Sequence, residues 1–250
     1  MYPMKRVLTL ALAVCLCAAG LLAQQPNFKS QEEVDAFIAV QNAASAEERA
    51  TAGVAFLGTY PESEAAGLAA YMTMLSYQQM NDFDNMLLYG DMVLEHNPAP
   101  GVMAGTLISL AGAIPTRTRE FDLDKEEKLA KAEDYAKRAM GLIPTLVKMD
   151  PNMSDDEWLA TRKEFMSQCH EALGGVALKR EDFPASEASF RQALELSAEP
   201  LPFTLYSLAL VLSKQGKNEE AAAEAQRCSD IGGFQGGAGT DLCAELRQGL

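Results

Sequence analysis

The sequence predicts an all-α solenoid of about five stacked helical pairs closed by a C-terminal tail helix, and three observations lead there. A pattern built on Leu173-Gly174, Phe183, Phe190 and Ala193-Leu194 recurs about 35 residues later around Leu208-Ala209, Gly216 and Ala221. Two short antiparallel helices cannot bury their apolar face alone, so such a unit must stack on its neighbours. Serine-led helix starts are frequent, and no stretch sustains the period-two alternation that a sheet needs.

At the start of the chain, Lys5 and Arg6 precede an uncharged apolar run from Val7 to Ala19, then Gly20-Leu21-Leu22-Ala23 and the polar Gln24-Gln25-Pro26. A charged segment, a short apolar core and a small residue before a polar break read as a secretory signal at 1–23, cleaved after Ala23. The run falls short of the roughly 20 residues that span a bilayer, so no stable membrane insertion is expected after cleavage. Two rivals are a lipoprotein signal, with Cys15 or Cys17 as acceptor, and an uncleaved anchor. Val14 and Leu16 stand where a lipidation signal wants a small side chain. The expected location is therefore the periplasm or the extracellular space.

The roughly 227 residues that follow divide into helical pairs, with no Ser/Gly-rich linker among them. Ser30-Gln31-Glu32-Glu33, Ser45-Ala46-Glu47-Glu48 and Ser154-Asp155-Asp156-Glu157 fit the capping-box spacing, in which Ser and Glu satisfy free backbone donors at a helix start. Leu205, Leu208, Ala209 and Leu212 form one apolar stripe at i, i+3, i+4 and i+7. The expected pairs are 31–43 with 46–59, 64–80 with 83–96, 101–113 with 124–146, 155–180 with 184–197, and 202–215 with 218–230, with a tail helix at 240–248.

On these residues the chain resembles the tetratricopeptide repeat (TPR) family, as a bacterial, exported member. The best match runs from about Phe165 to Pro200, where Leu173-Gly174 look like the close-packing pair, Phe183 like the aromatic at the turn, Phe190 like the second-helix aromatic and Ala193 like the small residue at the helix crossing. His170 stands where the first-helix Trp is usual, and Ser186 where a small Ala is usual. The resemblance divides the chain into a signal at 1–23, an N-terminal pair at 27–62, a repeat at 63–100, a divergent pair with inserted loops at 101–153, a repeat with an extended first helix at 154–200, a repeat at 201–233 and a tail at 234–250.

The resemblance also implies an α-α superhelix whose first helices line a groove for an extended peptide or a partner helix. Groove positions carried over are Leu68, Tyr71, Leu75, Gln78 and Gln79 in one repeat, Glu171, Leu178 and Lys179 in the next, and Phe203, Tyr206, Leu210 and Lys214 in the last. The basic clamp of the family's chaperone-tail binders is missing. Tyr71 and Tyr206 could instead serve as aromatic anchors, or could simply complete packing between repeats.

Charge narrows the partners. Loss of the leader removes two of the 21 basic residues and none of the 35 acidic ones, which deepens the formal net charge from −14 to −16. Nucleic acid and anionic membranes are poor partners for such a surface. An unidentified protein or peptide is the partner class that remains.

No cofactor or metal is implied. His96 and His170 are the only histidines and lie far apart, no glycine-rich phosphate loop appears, and Gly232-Gly233 with Gly236-Gly237 read as a flexible turn. Met72, Met74, Met80, Met86, Met92 and Met103 read as core filler before a copper-binding face. Past the leader, Cys169, Cys228 and Cys243 remain; Cys228 and Cys243 could form a disulfide if the tail folds back, and three buried thiols is the alternative.

Two function classes stay open. One is a non-enzymatic binding scaffold in an envelope complex. The other is an enzyme or enzyme subunit using inserted loops at 114–124 and 145–154, with Glu120, Asp122 and Asp124 as its carboxylates.

Overall fold

The computed structural model describes residues 26–148, 150–237 and 239–250. Residues 1–23, on which the secretory-signal reading falls, lie outside them. The described residues form two compact units, one of the chain up to Pro98 together with Leu146–Leu159, the other of Ala99–Thr145 and Ala160–Leu250. Among the described residues the architecture is all-α, with no strand beyond an isolated bridge between Gln235 and Asp241.

In the first unit, α1 (Gln31–Asn42), α2 (Ala46–Thr59), α3 (Ala66–Gln79) and α4 (Phe83–Glu95) pack in sequence order. Ser30 and Ser45 cap α1 and α2 by accepting from the backbone N–H of Glu33 and Glu48 at 3.2 and 3.1 Å. The reciprocal bonds differ from the simple box: Glu33 and Glu48 accept from Lys29 and Ala44, one residue ahead of each serine. The apolar seam is a run of rings, Phe28 on Phe37, Phe37 on Phe56 and Phe56 on Tyr60, with centroids 5.4 to 5.6 Å apart. Such tilted pairs add contact specificity to plain burial. Gly53 lets α2 and α3 touch, since a Cβ there would fall 1.9 Å from Thr73 Oγ1.

In the second unit, α5 (Pro100–Arg117) packs on α6 (Lys125–Leu142), which ends in a 3-10 turn at Ile143–Thr145. Then come α7 (Asp155–Lys179, the part from Ala160 belonging to this unit), α8 (Phe183–Leu196), α9 (Pro202–Lys214), α10 (Asn218–Asp230) and α11 (Leu242–Gln248). Helix α5 outruns the expected 101–113 because Pro115 sits only in its last turn. Pro115 there forfeits a single backbone bond, while Thr118 closes the end by donating both its N–H and its hydroxyl to the Ile114 carbonyl at 3.0 and 2.8 Å. The helix start at Asp155 is a full capping box, with Ser154 N–H donating to Glu157 at 2.8 Å and Glu157 N–H to Ser154 Oγ at 3.2 Å.

The helical pairs pack through the residues that the repeat pattern marks as core. Phe190 and Ala193 are fully buried on α8, and Phe190 joins Leu208, Val211, Leu212 and Ala221 in one cluster. Two hydroxyls stitch α7 to α8: Ser167 donates to the Ala193 carbonyl at 2.9 Å and Ser186 to that of Gly174 at 2.8 Å. Glu195 is exposed as the helix pattern predicts, but Glu187 is not, with only 13% of its side chain accessible. It accepts from Lys217, Gln215 and Arg191 at 2.6, 2.7 and 3.0 Å, joining α8 to the turn ahead of α10.

The turns inside three of the pairs repeat one geometry. After α3, α7 and α9, a residue at φ +60, +60 and +74 (Asn81, Glu181, Gly216) ends the helix. The next N–H then reaches back to the carbonyl of Tyr77, Ala177 or Leu212 at 2.9, 2.9 and 3.0 Å. This is the Schellman closure, which satisfies free carbonyls at a helix end.

Candidate functional site

Helix α3 shows how local sequence builds an accessible face. Ala66, Gly67, Ala69, Ala70 and Thr73 are buried, small enough to let α3 press into its neighbours, with the larger Met74 buried among them. The hydroxyls of Thr73 and Ser76 stay satisfied inside the helix by donating to the carbonyls of Ala69 and Met72 at 2.8 and 2.9 Å. What faces outward at helical spacing is Leu68, Tyr71 and Leu75, half-buried, followed by the exposed Gln78 and Gln79. Met72, which the groove positions did not include, is half-buried beside them.

The other positions lie in the second unit and are more heavily engaged. Glu171 accepts from the hydroxyl of Thr204, a buried residue of α9. Burial pushes the Glu171 carboxyl up, the Thr204 bond pulls it down, and the charge of Glu164 adds to the rise. Lys179 donates to the Thr118 carbonyl at 2.7 Å, and Leu178 packs on the Phe190 cluster. Phe203, Tyr206 and Leu210 are half-buried along α9 and Lys214 is exposed at its end. The rings of Phe203 and Tyr206 both meet the ring of Phe234, which sequence reasoning left in a flexible turn. Its only advance signal was an aromatic set between two glycine pairs.

Cys228 and Cys243 are joined by a disulfide that closes a separation of 15 residues, with Cα atoms 6.1 Å apart. Both are fully buried, next to Leu205. Cys169 is a free buried thiol, and burial pushes it up to about 12. Burial also lowers His170.

The two inserted segments are shorter and more tightly bonded than the repeat pattern implies. Ile114 and Pro115 belong to the buried side of α5, so the first inserted segment shrinks to 118–124. Its acids are each matched by a cation: Glu120 by Lys125 at 2.9 Å, Asp124 by Lys128 at 2.9 Å and Asp122 by Lys128 at 3.2 Å. The N–H of Arg119 and the Lys128 ammonium hold the Asp122 carboxyl below its ordinary range. The large apolar side chains this loop leaves open to solvent are Phe121 and Leu123. In the other segment, Lys148 donates to the Met153 carbonyl at 3.0 Å and Asp150 accepts from the Asn152 N–H at 2.8 Å. Among the described residues no cluster of His, Cys, Asp or Glu is arranged to hold a metal ion, and no helix is long and apolar enough to cross a membrane.

No family model matches the chain, and no curated protein matches it. Among solved structures, it is similar to a thermophilic TPR protein of Thermus thermophilus, at 18% identity over 87% of this chain and 95% of that one, with a TM-score of 0.48. It is also similar to the assembly chaperone of RpL4, at 14% identity over 87% of this chain and 94% of that one, TM-score 0.41. The TPR domain of P58(IPK) aligns at 12% identity over 87% of this chain and 63% of that one, TM-score 0.31. The fold assignment rests on this chain's own packing and not on these likenesses.

Proposed function

We propose that this chain is a non-enzymatic scaffold of a bacterial envelope complex, acting outside the cytoplasm and holding an extended segment of a protein partner on the outward faces of its first helices. The observation that carries the reading is the α3 face. Its inner side is packed with small residues, while Leu68, Tyr71 and Leu75 stay half-accessible and two exposed glutamines continue the stripe. Apolar side chains with a polar tip, beside donors and acceptors able to pair with a peptide backbone, are what an extended ligand needs. The Cys228–Cys243 disulfide supports export, because such bonds persist in oxidising compartments. The Lys5-Arg6 start and the apolar run after it support the same location.

The test is capture from an envelope extract with the wild-type chain, Tyr71→Ala and the control Glu195→Ala. A partner retained by wild type and control and lost by Tyr71→Ala, with helicity unchanged in all three, is the expected result. Equal capture by all three would remove α3 from the binding face. N-terminal sequencing of the processed protein checks the location, with a start near Gln24 expected.

A further inference from the structure

In the second unit the tail lies on the very face of α9 that the binding reading gives to a ligand. The Phe234 ring stands 5.2 Å from that of Tyr206 with a 35° tilt, and 5.6 Å from that of Phe203 nearly edge-on at 68°. The loop carrying it is held at both ends. The Cys228–Cys243 disulfide ties its flanks, Ser229 donates to Asp241 Oδ2 at 2.8 Å, and Asp241 Oδ1 accepts from the Cys243 N–H at 3.0 Å. Within it, Leu242 N–H donates to the Phe234 carbonyl at 2.9 Å and Gly236 N–H to that of Thr240 at 2.8 Å. Gly233 is required for this path: its φ is +69, and a Cβ would fall 2.5 Å from Asp241 Oδ1.

The three rings are nevertheless not core. Phe203, Tyr206 and Phe234 are each half-buried, whereas Leu205, Cys228 and Cys243 beneath them are sealed. A closed base under an open aromatic layer has the form of an occupied binding slot.

We propose that Phe234 is an internal ligand: Phe203 and Tyr206 form a slot for the aromatic side chain of a partner peptide, and the chain's own tail fills that slot until the peptide displaces it. The proposal rests on the binding reading above and names its ligand class, a peptide with a phenylalanine-type anchor. Tilted and edge-on ring pairs favour an aromatic over an aliphatic anchor. A tethered Phe234 competes at high effective concentration, so the incoming peptide binds more weakly than the slot alone would allow. Displacement needs no redox step, because the loop can swing out between Gly233 and Asp241 while both cysteines stay joined.

The experiment uses the full oxidised chain as wild type and as Phe234→Ala, each titrated with the synthetic peptide Gly-Gly-Phe-Gln-Gly-Gly and followed through the tyrosine and phenylalanine resonances. The expected result is binding at least ten-fold tighter to Phe234→Ala than to wild type, lost when the peptide's Phe is replaced by Ala. A Phe234→Ala variant that keeps its helicity and disulfide but binds no more tightly than wild type overturns the proposal, and Phe234 is then only a cover for the helix end. If that variant does not fold, Phe234→Leu takes its place with the same expected order. Capture of a partner through Tyr71 together with indifference to the peptide sinks this inference alone. Peptide binding without any captured partner sinks the scaffold reading and keeps the slot.

Discussion

Gly174 lies against the ring of Phe190 so closely that a Cβ at position 174 would sit 2.9 Å from three ring carbons. The contact explains why a glycine occupies the middle of a long helix, where it otherwise costs about 0.5–1 kcal/mol relative to alanine. Phe190→Ala should lose about 3–5 kcal/mol of unfolding free energy, the range for a fully buried ring. Gly174→Ala should lose about 1–3 kcal/mol by overpacking. Denaturant unfolding measures both, and a loss well below 1 kcal/mol for Phe190→Ala would show the repeat register to be wrong.

Glu187 predicts an acid response. Burial opposes its charge, yet the bonds from Lys217, Gln215 and Arg191 outweigh that and hold the carboxyl at about 2. A depressed carboxyl contributes stability above its unfolded value of 4.5 and loses it as the pH falls through the folded value. Glu187→Gln should therefore be less stable than wild type at neutral pH, and the gap should close between about pH 5 and pH 2. Unfolding midpoints measured across that range check it.

Glu171 runs the other way. Burial raises its carboxyl, so the folded state holds the proton more readily than the unfolded chain and stability from this group falls as pH rises above 4.5. Glu171→Gln keeps an oxygen for the Thr204 hydroxyl and removes the buried charge. The variant should melt higher than wild type at pH 7 and no higher at acid pH. A lower melting temperature at pH 7 would mean that the charge itself stabilises the site.

Glu181 holds a left-handed backbone at φ +60 without the freedom of glycine. Such a conformation costs a non-glycine residue about 1–2 kcal/mol, partly offset by the entropy glycine loses on folding. Glu181→Gly should gain up to about 1 kcal/mol, read from the shift in urea midpoint at constant slope.

What the sequence made legible is what local chemistry controls. Helix starts at Ser30, Ser45 and Ser154 follow from capping, and the bounds of α1 to α4 and α7 to α10 fall within two residues of expectation because caps, turn residues and apolar spacing act over a few positions. Long-range pairing was not legible. Nothing near Glu187 announces that Lys217 and Gln215 will return to it from the next turn, and nothing near Phe234 announces Tyr206. The end of α5 at Arg117 was not legible either, since the harmlessness of Pro115 in a last turn depends on Thr118 bonding back to Ile114. Of the groove positions, Tyr71 and its neighbours emerge as a face from helical period alone. The engagement of Lys179 with Thr118 depends on a partner 61 residues away.

The Schellman turn after α3, α7 and α9 has a consequence for ancestry. Asn81, Glu181 and Gly216 fill one backbone conformation with three different chemistries. A joint defined by dihedral angles and main-chain bonds leaves few invariant letters behind, so substitutions can accumulate at it while the hairpin it makes is inherited intact. A lineage built on such joints can drift beyond recognition by sequence and still pass on its architecture.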